Sequence, residues 1–151
     1  MSFETRAGTR GGNKPAGPVF RLFNKIAAKR IRRGGSFRGV KALVLHTVGA
    51  KTGQERSNPV NWFPGPDGSW LIVASAAGAT GNPGWYYNIK AHPDKIRIEL
   101  DDRSIEVKAD QLHGAEREQA WNDITTGAPQ FAGYQEKTDR ELPIIRLIPR
   151  D

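Results

Sequence analysis

Lys51, Thr52 and Arg56 are the residues whose types and spacing point most directly to chemistry. They lie in "HTVGAKTGQERSNPV", residues 46–60, around a Gly49–Gly53 turn between two runs that read as strands. A glycine-flanked turn lets backbone amides converge on an anion. The Lys51 ammonium, the Thr52 hydroxyl and the Arg56 guanidinium on the next strand add charge and donors. Spacing alone leaves this phosphate cradle level with an ordinary exposed hairpin carrying two solvated cations. Other chemistries find less support. His46, His92 and His113 stand far apart without metal-ligand spacing, so no metal site is expected. Asp101-Asp102 and the 116–119 run "EREQ" read as solvated charge in a turn and on a helix face. The sequence holds no Gly-x-Ser-x-Gly, Walker loop or Gly-x-Gly-x-x-Gly. It also holds no cysteine, which removes disulfides, Cys-ligated zinc and thiolate chemistry.

The elements that must position this turn are mostly strands. "VKALVLHTVG" and "ERSNPVNWF" flank it, with Pro59 confining the second to an edge or bulge. "GPDG" at 65–68 closes a hairpin into "SWLIVASA". Asn82 then reads as an N-cap and Pro83 as the first helical residue of "NPGWYYNIKAH", which Pro93 stops. "KIRIEL" and "RSIEVKAD" form a second hairpin about Asp101-Asp102. "GAEREQAWNDIT" is a helix, "TGAPQFAGYQEKTDRE" an irregular stretch and "LPIIRLIP" a last strand. Some six strands joined mainly by hairpins exclude a parallel βαβ sheet and favour a small antiparallel barrel with peripheral helices, a mainly β (α+β) fold.

Charge is uneven. The chain of 151 residues carries +7, yet residues 1–41 hold eleven Lys or Arg against one acid, Glu4. Residues 1–18 have almost nothing to bury and read as a disordered tail, leaving 19–151 as one domain. Within it, 19–33 form a basic amphipathic helix: Val19, Phe20, Phe23, Ile26, Ala27 and Ile31 make an apolar stripe opposite Arg21, Lys25, Lys29, Arg32 and Arg33. That helix suits docking on the domain or peripheral contact with a membrane surface. Nucleic acid is not expected as a partner, because Phe20, Phe23 and Phe37 fall mostly on the apolar stripe instead of interleaving with the bases. Without a signal-peptide pattern or an apolar run near ~20 residues, the expectation is a soluble cytoplasmic protein, peripheral to the membrane at most.

Three blocks together resemble the deazaflavin (F420)-dependent nitroreductase family: "HTVGAKTGQERSNPV", "IVASAAGATGNPGWYYNIKAHP" and "YQEKTDRELPIIRL". The resemblance orders nearly everything from Leu43 to Leu147. It implies a split β-barrel of FMN-binding type and the use of coenzyme F420, an 8-hydroxy-5-deazaflavin with a phospholactyl and oligoglutamate tail. The coenzyme would carry the hydride chemistry, and the protein would supply binding, orientation and a dry pocket. Lys51, Thr52 and Arg56 match positions that grip its phosphate region. Ser57, Asn58, Pro59, Val60 and Asn61, with Val73, Ala74, Ser75 and Ala76, match segments lining the ring, and Trp85 and Tyr86 match the helix beside it. Core packing at helical spacing is the alternative for Trp85, Tyr86 and Ile89.

The pattern departs from the family at Ala50, where arginine is frequent, and at Ala128 and Phe131, where nitroimidazole-reducing relatives place tyrosines. Tyr134 is left as the candidate catalytic residue, orienting substrate or relaying a proton. The implied substrate is a small electrophile such as a quinone or nitroaromatic, and the implied assembly a monomer or homodimer. The basic first third would attract the anionic coenzyme tail at low salt. Alternatives are an FMN-binding or haem-degrading protein on the same barrel, and a basic membrane or nucleic-acid module.

Overall fold

Residues 3–5, 8–12, 18–31, 36–37 and 40–150 are described by a computed structural model. The nine-residue strand β2 (Val40–Val48) organises it, and both of its faces are buried. Leu43 and Leu45 point into the barrel, while Ala42 and Val44 lie under α1 (Pro18–Ile31) against Ala28 and Ile31. A strand covered on both sides reads as a continuous apolar run, as "ALVL" does.

The short β1 (Ser36–Phe37) pairs with the start of β2. β3 (Glu55–Asn61) returns antiparallel to β2, putting Arg56 opposite Thr47 and Ser57 opposite His46. β4 (Phe63–Pro64) pairs with β5 (Trp70–Val73) through a turn closed by the Gly65 amide on the Ser69 carbonyl, 2.9 Å. β6 (Ile96–Leu100) and β7 (Arg103–Gln111) form a hairpin whose linking Asp101 and Asp102 both take positive φ, 49° and 58°, the left-handed pair a two-residue hairpin turn requires. β8 (Ile144–Pro149) joins β7 to β5. The antiparallel order is β1-β2-β6-β7-β8-β5-β4, with β3 on β2. β3 and β5 approach each other without a ladder, so the curled sheet is an open half-barrel.

Helix α2 (Gly84–Ala91) plugs the barrel with Trp85, Tyr86 and Ile89, all buried among Leu45, Ile72, Ile98 and Ile145. Full burial of each such side chain contributes about 1.5–3 kcal/mol. The other face of β5 and β8 packs Leu71, Val73 and Ile144 against Ile124 of α3 (Gly114–Gly127) and Phe131 of α4 (Gln130–Lys137). No helix among the described residues is long and apolar enough to cross a membrane.

Five expectations change. The stretch read as irregular contains α4, whose inward Phe131 stacks edge-on with Phe63 at 5.5 Å. "ERSNPVNWF" is two strands, because after Asn61 the chain leaves β2 and Phe63 joins β5. Asn82 is no N-cap; Pro83 takes that position and the Asn82 amide oxygen accepts from Arg140. Where composition predicts a free tail, residues 3–5 and 8–12 lie on the domain. Phe3 is buried edge-on to Tyr86, the Thr5 hydroxyl donates to the Glu141 carbonyl, and the Gly8 amide donates to Thr80. In α1, Lys25 and Lys29 are exposed as expected, but Ile26 is 55% exposed and stands off the docked face. Side chains at Val19, Phe20, Arg21 and Phe23, and residues 32–33, lie outside the described residues.

Candidate functional site

The turn between β2 and β3 is held from both ends. Its Gly49 amide donates to the Gln54 carbonyl at 2.8 Å, and the Gly53 amide, at φ 71°, donates to Gly49 at 3.0 Å. A Cβ on Gly49 would stand 2.6 Å from the Thr52 hydroxyl oxygen, so a side chain there would have to push that hydroxyl out of its place in the turn. Asn88 of α2 fixes the turn to the barrel, accepting from the Ala50 amide at 3.0 Å and donating to the Thr47 hydroxyl at 3.1 Å. The Thr52 oxygen accepts from the Gln54 amide, which leaves its own proton to donate outward. Among the described residues, no protein acceptor takes the Lys51 or Thr52 amide, and neither Lys51 nor Arg56 has an ion-pair partner. The Arg56 Nε lies 3.8 Å from the position of a Gly49 Cβ, which brings its guanidinium back over the turn. Two uncommitted cations, two open amides and a hydroxyl on an anchored loop form a donor set for a phosphate.

Strand alternation divides the residues matched to the ring. Arg56 lies opposite Thr47, on the barrel side, and Val60 packs on the barrel core. Ser57 points to the opposite face, where its hydroxyl lies 2.7 Å from His46 Nδ1. His46 Nε2 lies 2.5 Å from Glu99, which Arg97 also holds at 3.0 Å. With Nε2–H donating to the carboxylate, Nδ1 accepts the Ser57 proton, so Ser57 is engaged away from the turn. Burial, with the Arg97 charge second, keeps this imidazole below its ordinary 6.5 despite Glu99. Asn61 also turns away, donating to the Val40 carbonyl at 3.2 Å. Pro59 alternates with Ser57 on that face, and Asn58 with Arg56 on the other.

At the end of β5, Val73 and Ala74 are buried and the chain enters a left-handed turn at Ala76 and Ala77, φ 45° and 54°. Arg140 holds that turn. Its buried guanidinium donates to the carbonyls of Ala74 (3.0 Å), Ser75 (2.8 Å) and Ala79 (3.1 Å) and to Asn82 Oδ1 (2.5 Å). Burial lowers its pKa, and no carboxylate among the described residues touches it. Next to it Asp139 accepts from the Thr9 hydroxyl and from the Thr9 and Arg10 amides, which drives its pKa far below the ordinary carboxylate range. These bonds lay residues 8–12 along 78–80, where Gly12 bridges Ala79. α4 lies against the same turn: a Cβ on Gly78 would stand 2.7 Å from the Tyr134 carbonyl. Tyr134 itself is half-buried, edge-on to Phe131 at 5.4 Å and beneath the Lys137 ammonium at 5.9 Å. Ala128 and Phe131 are core residues.

Trp85 and Tyr86 are buried, and the Tyr86 hydroxyl donates to Gln111 at 2.6 Å; burial pushes its pKa up to about 12. The aromatic that α2 presents outward is Tyr87, 46% exposed. Sequence reasoning gave no role to Tyr87, Asn88 or Arg140, although all three stand inside the resembling blocks. A 100° step per residue from inward Trp85, Tyr86 and Ile89 would have turned Tyr87 and Asn88 outward.

An open antiparallel barrel curled in this way, with helices packed on both faces, is a split-barrel fold. Residues 20–149 match the family described as F420H(2)-dependent quinone reductase. An F420H(2)-dependent quinone reductase of Mycobacterium tuberculosis is 35% identical over 111 residues, 72% of this chain and 74% of that protein. The solved structure of an F420-H2 dependent reductase superposes with a TM-score of 0.62 at 34% identity, covering 70% of this chain and 92% of that one. The Vibrio cholerae haem storage protein HutZ shares the fold at TM-score 0.56 and 14% identity. The chain belongs to the F420H(2)-dependent quinone reductase family, and it is an oxidoreductase that works with coenzyme F420.

Proposed function

We propose that this protein uses reduced F420 to reduce a quinone, with the phosphate region of the coenzyme seated on the 49–56 turn. The observation that carries this is the pair of uncommitted cations, Lys51 and Arg56, on a turn pinned by Asn88. Charge-assisted contacts to an ionised group contribute roughly 1.5–3 kcal/mol each, enough for two residues to dominate placement of the tail. Held there, the reduced coenzyme would supply a hydride, and the chain's own residues would bind and orient it. The Ala74–Ala77 turn, braced by Arg140, offers a fixed edge for the ring, and the buried Trp85 and Tyr86 keep the barrel behind it dry. Reduction of a quinone to a quinol takes one hydride and one proton. Tyr134, beside the same turn on α4, is the residue proposed to orient the acceptor and relay that proton.

Of the residues matched to the ring, Ser75, Ala76 and the barrel-side Asn58 and Val60 fit a contact role directly, while Val73 and Ala74 are buried behind them. Ser57, Pro59 and Asn61 act from the far face by fixing the strand. A lipid-dissolved quinone fits the exposed Lys25, Ile26 and Lys29 of α1, which could rest on an anionic membrane surface. Nitroaromatics fit less well, since Ala128 and Phe131 are enclosed in the core. The test is to mix protein, reduced F420 and a soluble naphthoquinone and follow recovery of the oxidised coenzyme's absorbance. Protein-dependent recovery that Tyr134→Phe slows supports the proposal. Recovery with nitroaromatics and none with quinones would reverse the substrate assignment.

A further inference from the structure

On the far face of β2 and β3, turned away from the barrel, a serine, a histidine and a carboxylate stand in hydrogen-bonded sequence. The exposed Ser57 hydroxyl donates to His46 Nδ1 at 2.7 Å, and His46 Nε2–H donates to Glu99 at 2.5 Å. Arg97 donates to the same carboxylate at 3.0 Å and to Glu55 at 3.3 Å, which keeps Glu99 against the ring. The imidazole is 3% exposed with both nitrogens engaged, so its plane is fixed. A serine bonded to a histidine across two strands is not a site by itself. The backbone adds a second feature.

The Gly49 amide bonded to Gln54 and the Trp62 amide bonded to Lys41 mark hydrogen-bonded positions at the two ends of the β2–β3 ladder. Counting between them, Thr47–Arg56 and Leu45–Asn58 exchange backbone bonds, whereas His46–Ser57 and Val44–Pro59 do not, in keeping with a proline that has no N–H to give. At a position without backbone bonds, facing side chains come closest and the amide points off the ladder. The Ser57 amide therefore stands on the outer edge of β3, which pairs with no strand other than β2 among the described residues. An open N–H beside a serine hydroxyl is a donor suited to a tetrahedral oxyanion. A cleft of about 240 Å³ opens on the same face between His46, Glu55, Lys95, Arg97, Glu106 and Arg150, where cations outnumber carboxylates.

We propose that Ser57, His46 and Glu99 form a hydrolytic triad that cleaves small carboxylic esters, an activity separate from the reductase and independent of the coenzyme reading. The cleft's cations favour an ester bearing an anionic group. Ser57 Oγ bonds to the ester carbonyl carbon while its proton passes to His46 Nδ1, and the C–O bond to the alcohol then breaks as the alcohol takes that proton. Water gives a proton to the same nitrogen and its oxygen bonds to the acyl carbon. The acid departs, and Ser57 recovers its proton from His46. Glu99 is a positioning residue that holds the ring in the tautomer whose Nδ1 accepts.

The full chain, free of F420, is treated with a fluorophosphonate and the adduct is located by peptide mass spectrometry, beside a hydrolysis assay with p-nitrophenyl acetate. Phosphonylation at Ser57, with hydrolysis reduced about tenfold or more by Ser57→Ala and by His46→Gln, supports the triad. Glu99→Gln should slow labelling and move its acid limb to lower pH. The groups facing the imidazole set that sign: Glu99 and Glu55 raise its pKa, while burial and Arg97 lower it. A carboxylate that only braced the strands would leave the limb where it is. No adduct, an adduct elsewhere, or hydrolysis unchanged in Ser57→Ala overturns the proposal. The wild-type adduct decides the matter even where a variant folds poorly.

Discussion

Arg56 and Arg140 both come from the blocks that resemble the family, yet the fold gives them opposite situations. Arg140 is 1% exposed and its N–H groups are taken by three carbonyls and an amide oxygen. Arg56 is exposed and pairs with nothing among the described residues. Arg140 therefore holds the protein's own backbone, and Arg56 is free to hold something else. Burial and hydrogen-bond satisfaction separate scaffold from binder where a motif alone treats them alike.

The largest effect that would test this contrast is loss of Arg140. Arg140→Leu strands buried acceptors at Ala74, Ser75, Ala79 and Asn82, each costing about 1–3 kcal/mol, so denaturant unfolding should show a loss of about 4 kcal/mol. A loss under ~1 kcal/mol would mean that the left-handed turn at Ala76 stands without its clamp. Lys51→Ala plus Arg56→Ala should do the reverse: stability within about 0.5 kcal/mol of wild type, but F420 binding weaker by about 3 kcal/mol in a fluorescence titration.

Smaller effects sharpen the same division. Tyr86→Phe leaves Gln111 without its donor and should cost about 1–2 kcal/mol at neutral pH. Because the folded-state pKa of Tyr86 is raised from 10.0 to about 12, its stabilising share is complete below pH 10 and is lost as pH rises from there through 12. The variant should unfold less steeply in that alkaline window, as thermal melts would show. For His46 the sign is opposite. The folded pKa lies below 6.5, so the folded state resists protonation; stability is full above 6.5, falls as pH drops below it, and levels off beneath the folded value. His46→Gln should flatten that acid slope by a few tenths of a kcal/mol, and an unaltered slope would assign it to other groups.

The strands and the 49–53 turn are legible because their signals are local: β-branched and apolar runs, glycines at the turn, an Asp-Asp hairpin link. Trp85, Tyr86 and Ile89 declared their shared face by helical spacing. α4 is not legible, since Gly127, Pro129 and Gly133 punctuate a segment whose helix depends on Phe131 meeting Phe63, distant in sequence. The placing of residues 8–12 depends on Asp139, some 130 positions away, which no local pattern announces. A sequence block does not show alternation, so 57–61 reads as one lining; pairing with β2 sends Ser57 to His46 and leaves Arg56 over the turn.

A crystal structure of the protein with F420 bound tests the central claim most directly. The account predicts the coenzyme's phosphate oxygens within hydrogen-bonding distance of Lys51, Thr52 and Arg56, with the Lys51 and Thr52 amides turned toward them. A phosphate lodged elsewhere, with Lys51 and Arg56 still in solvent, would contradict it.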